Sequence, residues 1–277
     1  MIKRYFTLLC AAALATGAAH AQKIAVSKGL KLEMATSTKM IMSLEMMGQN
    51  IDNNTETSNI TQIELKDVTP ASYLFSNTVT KVILHTTAMG QEMNFDSDKK
   101  EDLDGPLGAG MKNVLNVPQD IVVDKQGKVV EKKGDTTASG MNEMMNITAS
   151  MMKGQPYPLL LPLPGHAIKQ GETWVDSSGN NATLKAITTY TVKGISKDEV
   201  LLDFSSQVAK KGTMEQQGMQ IDMDMAGTIK GTASYEAVTG LLKKTDSSSD
   251  IKGTMGVMGQ SAPFTMTITG TVTTKKL

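Results

Sequence analysis

Two residue types are missing from almost the whole chain. The sole cysteine is Cys10 and the sole arginine is Arg4, so past residue 21 there is neither a thiol nor a guanidinium. Without a thiol there is no disulfide, no cysteine nucleophile and no zinc–thiolate site. Without a guanidinium no side chain grips a phosphate or a base edge in bidentate fashion. Removing Lys3 and Arg4 from a chain of 28 basic and 28 acidic residues leaves a net charge of −2. That balance lacks the basic face of a nucleic-acid binder, and no nucleic-acid partner is expected. Two histidines, His85 and His166, lie past the N-terminal segment. Each reads as an ordinary strand or loop histidine, and two alone do not make a three-ligand catalytic zinc site. No Gly-x-Ser-x-Gly elbow, P-loop or dinucleotide fingerprint occurs,. The expectation is a protein that is not an enzyme and holds no cofactor or metal.

The N-terminus has the form of a secretory leader. Lys3 and Arg4 precede an apolar run from Tyr5 to Gly17, and Ala19-His20-Ala21 is a small-x-small cleavage site,. Leu9 before Cys10 is too bulky for lipoprotein processing. The expected organisation is a signal peptide over 1–21 and a single β-rich domain over 22–277. Strands should fill 30–96 and 174–277, with a helix and loop insertion over 97–173. No later apolar run approaches the ~18 residues of a spanning helix, so the protein should not span a membrane. It should be exported, to the periplasm or beyond the cell.

Alternation dominates what is present. From Met219 to Tyr235 the odd positions carry Met219, Ile221, Met223, Met225, Ile229, Ala233 and Tyr235, and the even ones are mostly polar. This period of two marks a strand with one dry and one wet face. It places Met223 and Met225 inward, and Asp222 and Asp224 in water. Val200, Leu202, Phe204 and Val208 alternate likewise, as do Phe264, Met266, Ile268 and Val272, and Met40, Met42, Leu44 and Met46. Further strands are expected near 60–68, 72–86, 91–96, 119–124, 128–132, 182–193 and 241–252. Met-Gly-Gln at 47–49, 89–91 and 258–260 suggests Gly-centred hairpin turns, with Gln217-Gly218-Met219 a variant,. Between the strand regions, Met141, Met144, Met145, Thr148, Met151 and Met152 follow helical spacing from a Ser139 cap,. A second helix is expected over Pro106 to Asn116. A Pro-rich crossing, Pro156 to Pro164, reads as an ordered loop or edge. The acidic run Asp96, Asp98, Glu101, Asp102 and Asp104 lacks calcium-loop spacing and reads as a solvated loop,.

Methionine is the abnormal signal, at 21 residues. Thioethers favour Cu(I), and Met40/Met42 and Met223/Met225 put sulfurs on a common strand face. Methionine is also a flexible apolar filler suited to adaptable surfaces. Its positions coincide with the inward sites of strands and helix, which favours a core or an adaptable apolar surface over copper.

Asp124-Lys125-Gln126-Gly127-Lys128-Val129, the stretch from Leu161-Pro162 to Gly171-Glu172-Thr173-Trp174, and Ala237-Val238-Thr239-Gly240-Leu241 together with the leader resemble a family of secreted bacterial proteins classed as a domain of unknown function. The layout also looks like the periplasmic lipoprotein-carrier half-barrel. That resemblance implies a curved antiparallel sheet holding an acyl chain on its concave face beneath short helices. The expected fold is mainly β (α+β), a large curved antiparallel sheet or half-barrel with one or two short Met-rich helices. The expected function is an envelope protein that binds an apolar ligand, a lipid or a lipidated protein. The candidate binding residues are Met40, Met42, Leu44, Met46, Met144, Met145, Met223, Met225, Met266 and Ile268. A structural or interaction protein with a packed core is the alternative, and Cu(I) binding the third.

Overall fold

A computed structural model describes residues 24–46, 48–112, 114–133, 153–177, 184–216, 219–257 and 260–277. The first helix expected from sequence, with Met144 and Met145, lies outside them. The chain forms one antiparallel sheet: β1 (Lys31–Met46), β2 (Gln49–Val68), β3 (Ser72–Ala88), β4 (Gln91–Asp96), β5 (Gln119–Asp124), β6 (Val129–Lys133), β7 (Thr173–Asp176), β8 (Leu184–Ile195), β9 (Glu199–Gln216), β10 (Met219–Glu236), β11 (Leu242–Val257) and β12 (Gln260–Lys276). The order across the sheet is β6-β5-β3-β2-β1-β12-β11-β10-β9-β8-β7, and β4 pairs with the second half of β3. Two short helices, α1 (Lys100–Asp104) and α2 (Pro106–Met111), follow β4. The second expected helix is therefore present but ends at Met111, where Gly108 and Gly110 weaken helical propensity.

The turns set the frame. Two-residue loops join β1 to β2, β3 to β4, β9 to β10 and β11 to β12, since Met46 faces Gln49, Ala88 faces Gln91, Gln216 faces Met219 and Val257 faces Gln260. Met89 and Gly90 both have positive φ, 53° and 75°, as a hairpin turn matched to strand twist requires. These four pairs of strand ends lie at one end of the sheet, which we call the rim. The other end, the base, carries the core. There Leu32, Ile63, Leu65, Tyr73, Phe75, Ile121, Val123, Val192, Val200, Leu202, Tyr235 and Leu242 are all buried on one face.

The base is sealed by the Pro-rich crossing. Tyr157, Leu159, Leu160 and Leu161 are each at most 2% exposed, so this segment is a plug rather than an edge. Its backbone is tied down: Leu161 N–H donates to Gly240 O at 2.8 Å, and Leu242 N–H donates to Leu159 O at 2.8 Å. Tyr157 Oη donates to Asn77 Oδ1 at 2.8 Å, which satisfies the one polar group the plug buries deeply,. Next to the plug the two edges of the sheet meet, with Lys128 Nζ on the β5–β6 turn 3.3 Å from Asp176 Oδ2 on β7. A smaller cluster, Val79, Val82, Phe95, Met111 and Val114, seats the helices against β3 and β4 on the same face.

Candidate functional site

The register shows which residues share the inner face toward the rim. Met40 lies opposite Ile268, Met42 opposite Met266, and Leu44 opposite Phe264. Ile251 faces Met266 and Met255 faces Ala262. Met223 faces Met255, and Met225 faces Gly253. Five candidates from β1 and β12, Met40, Met42, Leu44, Met266 and Ile268, are thereby joined to Met223 and Met225 on β10 through β11. Met46 takes the same register parity, opposite Gln49.

This surface is distinct from the core. Met40, Met42, Leu44, Met223, Met225, Met255, Met266 and Ile268 are only half-buried. They surround a floor of Ile221, Ile251, Ala262 and Phe264, which are buried yet belong to neither core cluster. Among the methionines whose burial is described, Met111 alone is buried. Methionine here is thus apolar surface more than core filling. Asp222 and Asp224 are exposed on the opposite face, as the alternation requires. Asp222 accepts a hydrogen bond from Thr213 Oγ1 at 2.6 Å, and Asp224 pairs with Lys211 at 2.9 Å.

Glycine lets the inner face bend. A Cβ on Gly227 would stand 2.3 Å from Asp250 O, and one on Gly231 would stand 2.6 Å from the Phe204 ring. Gly253 is equally crowded, 2.4 Å from Asp224 O. All three point inward by register, so neighbouring strands close in on that side, as a concave surface demands.

Inward-facing charge is sparse. Of the described strand residues toward the rim, Lys210 on β9 faces inward between Leu184 and Met225. Lys132 on β6 faces Ile121 after a bulge that shifts the register, and burial lowers its pKa. Neither lysine is paired with a carboxylate among the described residues. Both were missed in the sequence. The parity of β9 marks Lys210, because Leu202, Phe204 and Val208 share it, whereas the bulge hides Lys132.

Other titratable groups are engaged elsewhere. His85 Nδ1 bonds Asn94 Oδ1, and His166 Nε2 lies 2.6 Å from Glu172 Oε1. In the acidic run Asp102 accepts from the Asp96 N–H at 2.8 Å, Asp98 pairs with Lys81, and Asp104 pairs with Lys100 at 2.6 Å. No cluster of three metal-ligating His, Cys, Asp or Glu side chains occurs among the described residues. No described helix is long and apolar enough to cross a membrane. Shallow hollows also mark the outer face. One of about 240 Å³ lies beside Ala35, Ile60 and Ile83, and one of about 640 Å³ beside Thr191, Asp203, Lys230 and Asp246.

The fold is similar to that in a solved structure titled lipid–protein interactions in lipovitellin. The TM-score is 0.51 at 14% identity, over 90% of this chain and 25% of that one. The chain therefore spans a quarter of the lipovitellin chain's length. An outer membrane channel from Pseudomonas putida F1 aligns at a TM-score of 0.27 and 7% identity, over 91% of this chain and 97% of that one. OmpF of Salmonella typhi aligns at 0.24 and 9%, over 89% and 98%. The sequence matches no curated protein. The profile of a family of unknown function, DUF6263, matches residues 70–160 and 151–242. Together these matches cover more than half of the chain, which belongs to that family.

Proposed function

We propose that the inner face toward the rim binds the hydrocarbon part of an apolar ligand or of a lipidated partner, and that the protein does this as a non-enzymatic component of the cell envelope after export. The observation that carries the reading is the half-buried apolar patch of β1, β10, β11 and β12. A monomer rarely leaves so continuous an apolar surface open without a use. Its composition suits the role, because unbranched thioether side chains repack around ligands of varied shape. The concave form gives a chain-like ligand contact on more than one side, as small-molecule sites require. The likeness to lipovitellin supports the same reading at the level of architecture, in a protein whose structure is titled for its lipid interactions.

A fluorescent long-chain fatty-acid probe tests it. The full-length processed protein should bind the probe. Met223→Lys or Met266→Lys should weaken binding while the far-UV circular dichroism and the unfolding transition stay in place. If no probe binds, the ligand-carrier reading fails and an interaction protein with a self-packed interior takes its place.

A further inference from the structure

We infer that the ligand of the inner face is an anionic amphiphile, a hydrocarbon chain ending in a carboxylate or phosphate, with its headgroup held by Lys210 and Lys132. This rests on the apolar-ligand reading above and adds the chemistry of the headgroup.

Charge placement carries the argument. The inward positions of β1, β2, β3, β10 and β11 toward the rim are apolar, hydroxyl, amide or glycine residues. Toward the rim the carboxylates of these strands, Glu45, Asp52, Glu56, Asp222, Asp224 and Asp250, take the outward parity. Against that background Lys210 projects into an apolar row, with Leu184 on one side and Met225 on the other. Lys132 projects from the opposite edge of the sheet beside Ile121. A half-buried ammonium without a partner is unfavourable unless something supplies opposite charge. Other lysines, such as Lys39 and Lys243, stand on polar strand faces against carboxylates, Glu56 and Glu199.

The two cations hold related positions. The edges of the sheet are joined by Lys128 and Asp176. Lys132 stands four residues further along its strand from Lys128. Asp176 faces Thr188, and four residues along β8 from Thr188 is Leu184, the partner of Lys210. At a rise of about 3.3 Å per residue, less the bulge on β6, each cation lies on the order of 10 Å toward the rim from the level of the ion pair, one near each described edge of the sheet,. A headgroup anion held by these two lysines meets positive charge from both described edges, while its chain runs along the apolar patch. Both cations are lysines, so they act as point charges that accept carboxylate and phosphate alike.

The test compares sixteen-carbon probes that differ only at the head: palmitate, hexadecanol, hexadecyl phosphate and hexadecyltrimethylammonium, each titrated into the full-length processed protein by probe displacement, with inorganic phosphate as a headgroup without a chain. Palmitate and hexadecyl phosphate should bind at least about tenfold more tightly than hexadecanol, the size expected for a charge-assisted hydrogen bond. The cationic probe should bind most weakly of the chains, and inorganic phosphate alone should not displace the probe. Lys210→Met and Lys132→Met, singly and together, should erase the preference for the anions while leaving hexadecanol binding unchanged, which excludes loss of fold as the cause. Equal affinity for palmitate and hexadecanol, or a preference that survives the double substitution, overturns the headgroup assignment and leaves the apolar-ligand reading standing. Failure of every chain to bind overturns that reading, and the headgroup assignment falls with it.

Discussion

The base and the rim of this sheet are built on the same alternation and end in different states. At the base, Leu65, Phe75, Ile121, Val200 and Leu202 are sealed to 0% exposure. Toward the rim, Met40, Met42, Met223 and Met266 occupy equivalent inward positions and remain half-open. The difference lies in what stands opposite. The base is covered by Tyr157, Leu159, Leu160 and Leu161 from a distant part of the chain, whereas the rim patch faces inward over a curved floor. Residue type follows cover. Branched and aromatic side chains, stiff and well-fitting, fill the sealed end, while flexible methionine lines the open one. Period-two patterning thus says which side chains share a face but not whether that face becomes core.

The comparison breaks most readily by truncation at each end. Leu160→Ala should cost about 2–5 kcal/mol through a cavity that the plug cannot refill. Met223→Ala should cost well under half as much, because its site is open to water. Urea unfolding of both variants checks this, and equal losses would mean that the rim is core after all. Next in size is curvature. Gly227→Ala should cost about 1–3 kcal/mol, since its Cβ meets backbone rather than a movable side chain,. A neutral result would show the inner face to be flatter than described. Smaller still, Met40→Leu and Met42→Leu should each cost less than about 1.5 kcal/mol and preserve probe binding. If the wild type binds Cu(I) tightly and the paired variant does not, sulfur chemistry rather than adaptable packing explains the methionines.

The smallest effect concerns acid. Burial raises the pKa of Glu236 at the base, but hydrogen bonds from Thr239 and Lys276 together with the charges of Lys276 and Lys243 outweigh it and hold the carboxyl below its usual value. A carboxylate with a depressed folded-state pKa stabilises the fold above its unfolded value and loses that contribution as pH falls through the folded one. Glu236→Gln should therefore cost under about 1 kcal/mol at pH 7. Its unfolding midpoint should converge with that of the wild type once the pH falls below the carboxyl's lowered folded-state pKa,. A gap that persists in acid would assign the loss to packing instead.

Much of the sheet was legible in sequence, and the exceptions have physical causes. β10 and β12 show clean alternation because their outer faces are polar and their inner ones apolar. The first half of β2 does not, because Asn53, Thr55, Thr57 and Asn59 point inward where Asp52, Asn54, Glu56 and Ser58 point outward, so both faces are polar and alternation appears only from Thr61. The strand is held there by its neighbours, and Thr55 Oγ1 meets Thr86 Oγ1 at 2.5 Å across β3. The plug was hidden for the opposite reason. Proline at 156, 158, 162 and 164 signals a loop, and only the run Leu159-Leu160-Leu161 hints that the loop is buried. In the candidate site, the methionines of β1, β10 and β12 were found from parity alone. Ile251 in the floor, and Met255 beside it, were not, because β11 carries Ser247, Ser249 and Gly253 at its other inward positions and so lacks a continuous apolar face.

The order of the strands also sets a schedule. Apart from the detour around β4, each half of the sheet is a meander in which successive strands pair, and β1 and β12 form the one ladder that joins the two halves. Bringing Lys31 beside Leu277 is the longest loop closure among the described residues, and the slow logarithmic growth of that cost does not shorten the wait for the residues to be made. A chain synthesised from its N-terminus holds a nearly complete first half whose β1 edge lacks a neighbour until Gln260–Lys276 follows. One open edge along a sixteen-residue strand forms a template on which other chains can add. The protection of this protein during its own synthesis therefore falls to whatever covers β1 before β12 exists.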